Sequence, residues 1–205
     1  MSEMTLSKGR PPQHSRKKLS ASLKILSSIK DQHPRWVNLA MEKLSAQSAL
    51  YPHPVYHIRW NDLLAGQPFQ ATVKRTGWIY FLRDRANRVA SAEVTVISGR
   101  HKNVRVSEGA FVRKLFGRIA KLKDDRRIGR RRFYLKSIRV EAVHLFCLWL
   151  EVGSEDEYFI PITNSTAFTA RKWISREQFT QLLRSEGQRI RDAQAKMRSL
   201  LEAYQ

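Results

Sequence analysis

The apolar positions of the chain fall into three regimes. Leu19, Leu23, Leu26 and Ile29 recur at helical spacing, and Pro34 restarts a second helix with Trp36, Val37, Ala40, Met41 and Leu44 on its apolar side. Pro52 and Pro54 in "YPHPVYH" force extended backbone and close that helical section. From Val55 to Ile162 the period becomes two. "TGWIYFL" (Thr76 to Leu82) reads as a buried strand and "DRANR" as a turn. The return strand, Val89 to Ser98, sets Ala90, Ala92, Val94 and Val96 on one face and Ser91, Glu93 and Thr95 on the other. From Ile138 to Val152 every even position is apolar except His144, and the odd positions are apolar only in the middle. That pattern predicts one long strand with its second face covered centrally by a helix. "GSEDE" then turns into "YFIPI", where Pro161 marks an edge or a strand end.

Two helices complete the pattern. Ser107 is a candidate N-cap for a helix from Glu108 to Lys123, with Phe111, Val112, Leu115, Phe116, Ile119 and Leu122 inward and Lys114, Arg118 and Lys121 outward. Gly117 within it costs roughly 1 kcal/mol relative to alanine. Ser175 and Gln178 form a capping box for a C-terminal helix. Its seam steps by four and three through Phe179, Leu183, Glu186, Ile190, Ala193, Met197, Leu200 and Tyr204, and only Glu186 interrupts it. Phe179, Leu183, Ile190, Met197, Leu200 and Tyr204 are therefore candidates for docking a partner helix or a second copy. Leu182 and Leu201 widen the stripe, which equally suits a helix packed on its own sheet. The fold expected is α+β, with a mainly antiparallel sheet of about five strands, a basic amphipathic helix on one face, an N-terminal helical pair and a long C-terminal helix. The expected organisation is a disordered basic arm (1–18), a helical segment (19–50), a basic α+β core domain (51–174) and the heptad-patterned helix (175–205).

Charge then narrows the function. With 205 residues and 42% hydrophobic side chains the chain has enough apolar material for a core, yet 38 Lys and Arg stand against 18 Asp and Glu, a net +20. The charge is concentrated: twelve basic residues lie between Arg113 and Arg139, against Asp124 and Asp125 alone. A polyanion compensates such crowding, and arginine's planar fork suits phosphate. The candidate nucleic-acid contacts are Arg113, Lys114, Arg118, Lys121, Arg126, Arg127, Arg130, Arg131, Arg132 and Lys136, with Phe133 and Tyr134 as base-stacking candidates. The N-terminal "SKGRPPQHSRKK" resembles the mobile arms that wrap nucleic acid. The expectation is a non-enzymatic protein that contacts the phosphate backbone of DNA or RNA. The alternative is a basic structural or adaptor subunit held through its C-terminal helix.

Several classes are disfavoured. Cys147 is the sole cysteine, which excludes an internal disulfide and a cysteine-rich zinc site and fits a reducing, cytoplasmic setting. The longest apolar run, "AVHLFCLWL", is too short to span a bilayer. Pro54 prevents His53 and His57 from sharing a helical metal site, so both are expected at the surface, while His144 is expected in the core. No catalytic residue, metal site or cofactor is predicted. "GWIYFLRD" followed by "VISGRHKNVR" resembles the paired strands of GIY-YIG endonucleases over about 30 residues. It departs from them at Trp78, in lacking the second tyrosine and in its longer spacing. A divergent metal-dependent nuclease would draw on Asp62, Asp84, Glu93 and Glu141, which the pattern scatters over different strands.

Overall fold

The computed structural model describes residues 6–7, 11–28, 49–83, 87–97, 100–122, 124–128, 131–153, 156–163, 168 and 173–203. The expected second helix (Trp36 to Leu44), Asp84, Arg130 and Tyr204 lie outside them. Two antiparallel meanders make up the sheet. One contains β2 (Leu50–Ile58), β3 (Val73–Arg83), β4 (Val89–Ile97) and β5 (Arg100–Ser107); the other contains β6 (Phe133–Val140), β7 (Leu145–Val152), β8 (Asp156–Pro161) and β9 (Ile174–Ser175). They meet where β2 runs parallel to β6, giving the order β5-β4-β3-β2-β6-β7-β8-β9, and β1 (Leu6–Ser7) also pairs in parallel with β6.

This corrects the expected sheet. Among the described residues it has nine strands rather than about five, and the parallel pairings of β2 and β1 with β6 make it a mixed sheet. The segment read as one long strand is a hairpin: β6 and β7 flank a 3-10 turn at Glu141–Val143, closed by His144 in the left-handed region (φ 50°). His144 is consequently exposed, not in the core. β2 was hidden by its prolines. Proline donates nothing to a ladder, and β6 pairs with β2 only from Val55 onward, while β1 takes the β6 positions Phe133 and Tyr134.

Helices cover both faces rather than one. α1 (Gln13–Ser28) starts ahead of the apolar stripe at Leu19 that predicted it, within the segment expected to be disordered. Its Leu19 and Leu23 pack on Trp78, Tyr80, Leu82, Ala90, Ala92 and Val94, and Ser15 shares a 2.6 Å hydrogen bond with the Tyr80 hydroxyl. The intervening residues Ile79, Phe81 and Val89 point the opposite way, into a core closed by Val112, Leu115, Ile119 and Leu122 of α4 (Ala110–Leu122). α4 starts after Gly109, whose carbonyl accepts from Arg113 N; Ser107 ends β5 and does not cap it. Between β2 and β3 lie two short helices, α2 (Trp60–Leu64) and α3 (Phe69–Thr72). They share the α1 side of the sheet with α5 (Arg176–Ala203), whose Phe179 lies flat on Phe159 with ring centroids 4.0 Å apart. The capping box is present: Gln178 N donates to Ser175 Oγ at 3.3 Å and Ser175 N to Gln178 Oε1 at 3.4 Å.

One buried polar group holds the junction of the meanders. His53 is fully buried, against the expectation of a surface side chain. The Tyr51 carbonyl, 2.7 Å away, can only accept, so Nδ1 carries the proton and Nε2 accepts from the Ser137 hydroxyl at 2.8 Å. β2 is thereby bonded to β6 through side chains beside their short ladder. Burial pushes the imidazole pKa from its ordinary 6.5 down to about 4, so the folded protein binds fewer protons than the unfolded chain between those values. Stability is therefore expected to fall by about 3 kcal/mol as pH drops through this window, and to be independent of His53 above it. Urea midpoints across the pH range check this: His53→Gln, which has no titratable ring, should lose that component of the slope.

Candidate nucleic-acid interface

α4 contains no acidic residue. With Val112, Leu115, Ile119 and Leu122 turned to the sheet, the 3.6-residue repeat sends Lys114, Arg118 and Lys121 outward as a stripe, with Arg113 beside it. Phe111, expected inward, is 40% exposed, and its ring meets Phe146 edge-on. Lys114 lies along the body and donates to the Ile162 carbonyl at 2.5 Å. Beyond the helix, Ile128 is fully buried and anchors the following turn, while Asp125 Oδ1 accepts from Arg127 N at 3.0 Å. That geometry turns Arg126 and Arg127 to solvent, with the Arg127 guanidinium 5.3 Å from the centre of the Trp173 ring. Arg131 bonds Asp156 at 2.7 Å and the Arg127 carbonyl at 2.6 Å. Arg132 is exposed, and Arg130 lies outside the described residues.

The cations thus separate into two groups. Among the described residues, no carboxylate pairs with Arg113, Arg118, Lys121, Arg126 or Arg132. Two strand cations of the same charge-dense stretch, by contrast, are matched. Lys136 pairs with Glu151 and lies 4.2 Å above the Trp149 ring, on the sheet face opposite α4. Arg139 grips Glu93 with two bonds of 3.0 and 2.6 Å. In sheet order β3 and β2 separate those partners, so this pair reaches across two strands on the α4 side. Strand alternation also corrects the aromatic candidates. Phe133 is 1% exposed in the core and cannot stack on a base; Tyr134 is 48% exposed but shares the far face with Lys136. The α4 stripe and the turn after it thus carry Arg113, Lys114, Arg118, Lys121, Arg126, Arg127 and Arg131, with Arg132 exposed just before β6, whereas Phe133 is core and Tyr134 and Lys136 lie on the far face.

On that far face the charges satisfy one another. Gln70 donates to Glu157 at 3.4 Å, and Arg176 lies 3.7 Å from the same carboxylate. Burial, reinforced by Glu151 on the neighbouring strand, raises the Glu157 pKa in spite of Arg176.

Sequence reasoning missed a second polar cluster on the α4 side. His57 and Arg139 are register partners across the β2–β6 junction, and His57 Nδ1 lies 3.4 Å from Glu141. Burial lowers the His57 pKa, Glu141 opposing it. Glu93 and Glu141 both act electrostatically on His57, but Glu93 is committed to Arg139 and Glu141 faces the His57 ring, and no group of three metal-ligating side chains exists among the described residues. Only the parallel pairing of β2 with β6, which no local pattern encodes, reveals this cluster. Cys147 is buried, and burial raises its thiol well above its ordinary value.

The α5 candidates divide likewise. Phe179 and Leu183 are core residues and Ile190 packs against the same cluster, so they are not open to a partner. Met197 and Leu200 are 65% and 52% exposed. Glu186, the break in the heptad seam, is held by Arg189 through bonds of 2.6 and 3.0 Å, which lower its pKa.

No protein-family model, curated protein or solved structure matches this chain. No helix among the described residues is long and apolar enough to cross a membrane.

The two groups of cations should differ in their contribution to stability. Arg139→Ala leaves Glu93 half-buried and unpaired, so a loss of about 1 to 3 kcal/mol is expected. Arg118→Ala or Lys121→Ala should stay within about 0.5 kcal/mol of the parent. Denaturant midpoints of the three variants check the division.

Proposed function

We propose that this chain is a non-enzymatic nucleic-acid-binding protein that grips the phosphate backbone along the outer side of α4 and the turn that follows it. One observation carries the reading: Arg113, Arg118 and Lys121 on the outer side of α4, and the exposed Arg126 and Arg132 that follow it in the chain, have no carboxylate partner among the described residues. Like charges held together unpaired are destabilising for the free protein, and neutralising phosphates releases condensed counterions. Base stacking adds little on this helix, since the only exposed aromatic ring on α4, Phe111, sits at its first turn, and the reading rests on phosphate contact.

A random-sequence DNA duplex titrated across a salt series tests this. Affinity should fall steeply with salt, and Arg118→Ala with Lys121→Ala should reduce the log–log slope by about 2, equally for unrelated sequences. An affinity flat in salt, or a slope unmoved by the double variant, refutes the reading.

A second reading has its own support. Met197, Leu200 and Leu201 are 65%, 52% and 62% exposed on the last turns of α5, a stripe that suits another apolar helix, most simply that of a second copy. Light scattering should then give a larger mass for the parent chain than for Met197→Lys with Leu200→Lys. Equal monomer masses would remove this reading.

A further inference from the structure

We propose that the chain bridges two nucleic-acid duplexes, one lying on α4 and the other on α1. The idea rests on the reading of α4 given above and extends it to a second surface.

α1 shares the peculiarity of α4: its sixteen residues include no Asp or Glu. Ser15, Leu19 and Leu23 face the sheet, which leaves Arg16, Lys17 and Lys18 exposed, and among the described residues no carboxylate pairs with them. Freedom from acids is not general to this protein's helices, because α5 carries Glu177, Glu186, Asp192 and Glu202. The two long acid-free helices are thus distinguished from α5, and their placement relates them.

They lie back to back. α1 packs on Trp78, Tyr80, Leu82 and Ala90, whereas α4 packs on Ile79, Phe81 and Val89, the alternate residues of the same two strands. Side chains that alternate along a strand point to opposite faces, so the sheet separates the two basic surfaces. Two helix diameters and the sheet between them set those surfaces on the order of 30 Å apart. Duplex DNA has a persistence length of about 50 nm and resists bending around a body of that size. A duplex seated on α4 therefore leaves α1 unoccupied, and the cations of α1 are available to a second segment. Each surface gains affinity by counterion release without reading sequence, so the two segments need share none.

The test uses the full chain with one DNA duplex immobilised on beads and a second, fluorescent duplex of unrelated sequence in solution. The parent protein should retain the second duplex on the beads at low salt and release it as salt rises. Arg16→Glu with Lys17→Glu and Lys18→Glu should keep binding of a single duplex, measured by polarisation, while losing the captured fluorescence. Should that variant melt at lower temperature than the parent, Lys17→Gln with Lys18→Gln serves instead, with partial loss of capture expected. Mixing the α1 variant with Arg118→Glu/Lys121→Glu should not restore capture, because one chain must carry both surfaces. Restoration by the mixture, or full capture by the α1 variants, overturns the proposal. Single-duplex binding without capture by the parent also overturns it, whereas no duplex binding at all overturns the α4 reading beneath it.

Discussion

The short parallel ladder between β2 and β6 is the constraint on which the rest depends. Only Val55, Tyr56 and His57 meet Ser137, Ile138 and Arg139 there, yet this contact converts two antiparallel meanders into one sheet. Side chains reinforce what the backbone does sparsely: His53 bonds Ser137, and Arg139 reaches across to Glu93 on β4. α4 then closes the same seam from above, burying Ile79 and Phe81 of one meander together with Leu148 and Leu150 of the other. A helix that must touch both halves commits its whole apolar side inward. Its basic side chains are left on the only side that remains, and the position of the basic track follows from the way the sheet is joined.

Local signals were readable and long-range ones were not. The β3–β4 hairpin, the α4 amphipathic stripe, the capping box at Ser175 and the turn into β8 all rest on residues close in sequence, at most 18 positions apart. The turn at Glu141–Val143 escaped notice because both faces of β6 and β7 are covered. Ile138 and Val140 lie on the α5 side while Phe146 and Leu148 lie on the α4 side, so even positions stay apolar although the chain has reversed between them. A strand that is wet on one face would have exposed the phase change; one buried on both conceals it. β2 was lost to its prolines, and with it the junction, the burial of His53 and the His57–Glu141 cluster. The excess of charge was legible in composition, but not which cations were spoken for: Lys136 and Arg139 needed Glu151 and Glu93 from other strands.

That division has a physical origin. A strand places each side chain against neighbours on two adjacent strands, so a cation half-buried there acquires a carboxylate or destabilises the sheet. The outer side of a helix has no such neighbours and tolerates unmatched charge at small cost in high dielectric. α1 and α4 present unmatched cations for this reason, whereas the half-buried strand cations Lys136 and Arg139 are paired.

The seating of α5 carries one more implication. Gly187 is buried in mid-helix, where even a methyl group would meet Leu64 and Trp60 of α2, so the helix backbone lies tight against that support. From Arg191 to Glu202 every residue is exposed. The tail is therefore a cantilever clamped at Gly187, roughly 20 Å long at 1.5 Å per residue, and a tilt of about 10° at the clamp displaces its tip by roughly 3 to 4 Å. Any shift in how α2 seats on the sheet is magnified at that tip, which makes the far end of α5 the natural place to attach a spectroscopic reporter of motion in the core.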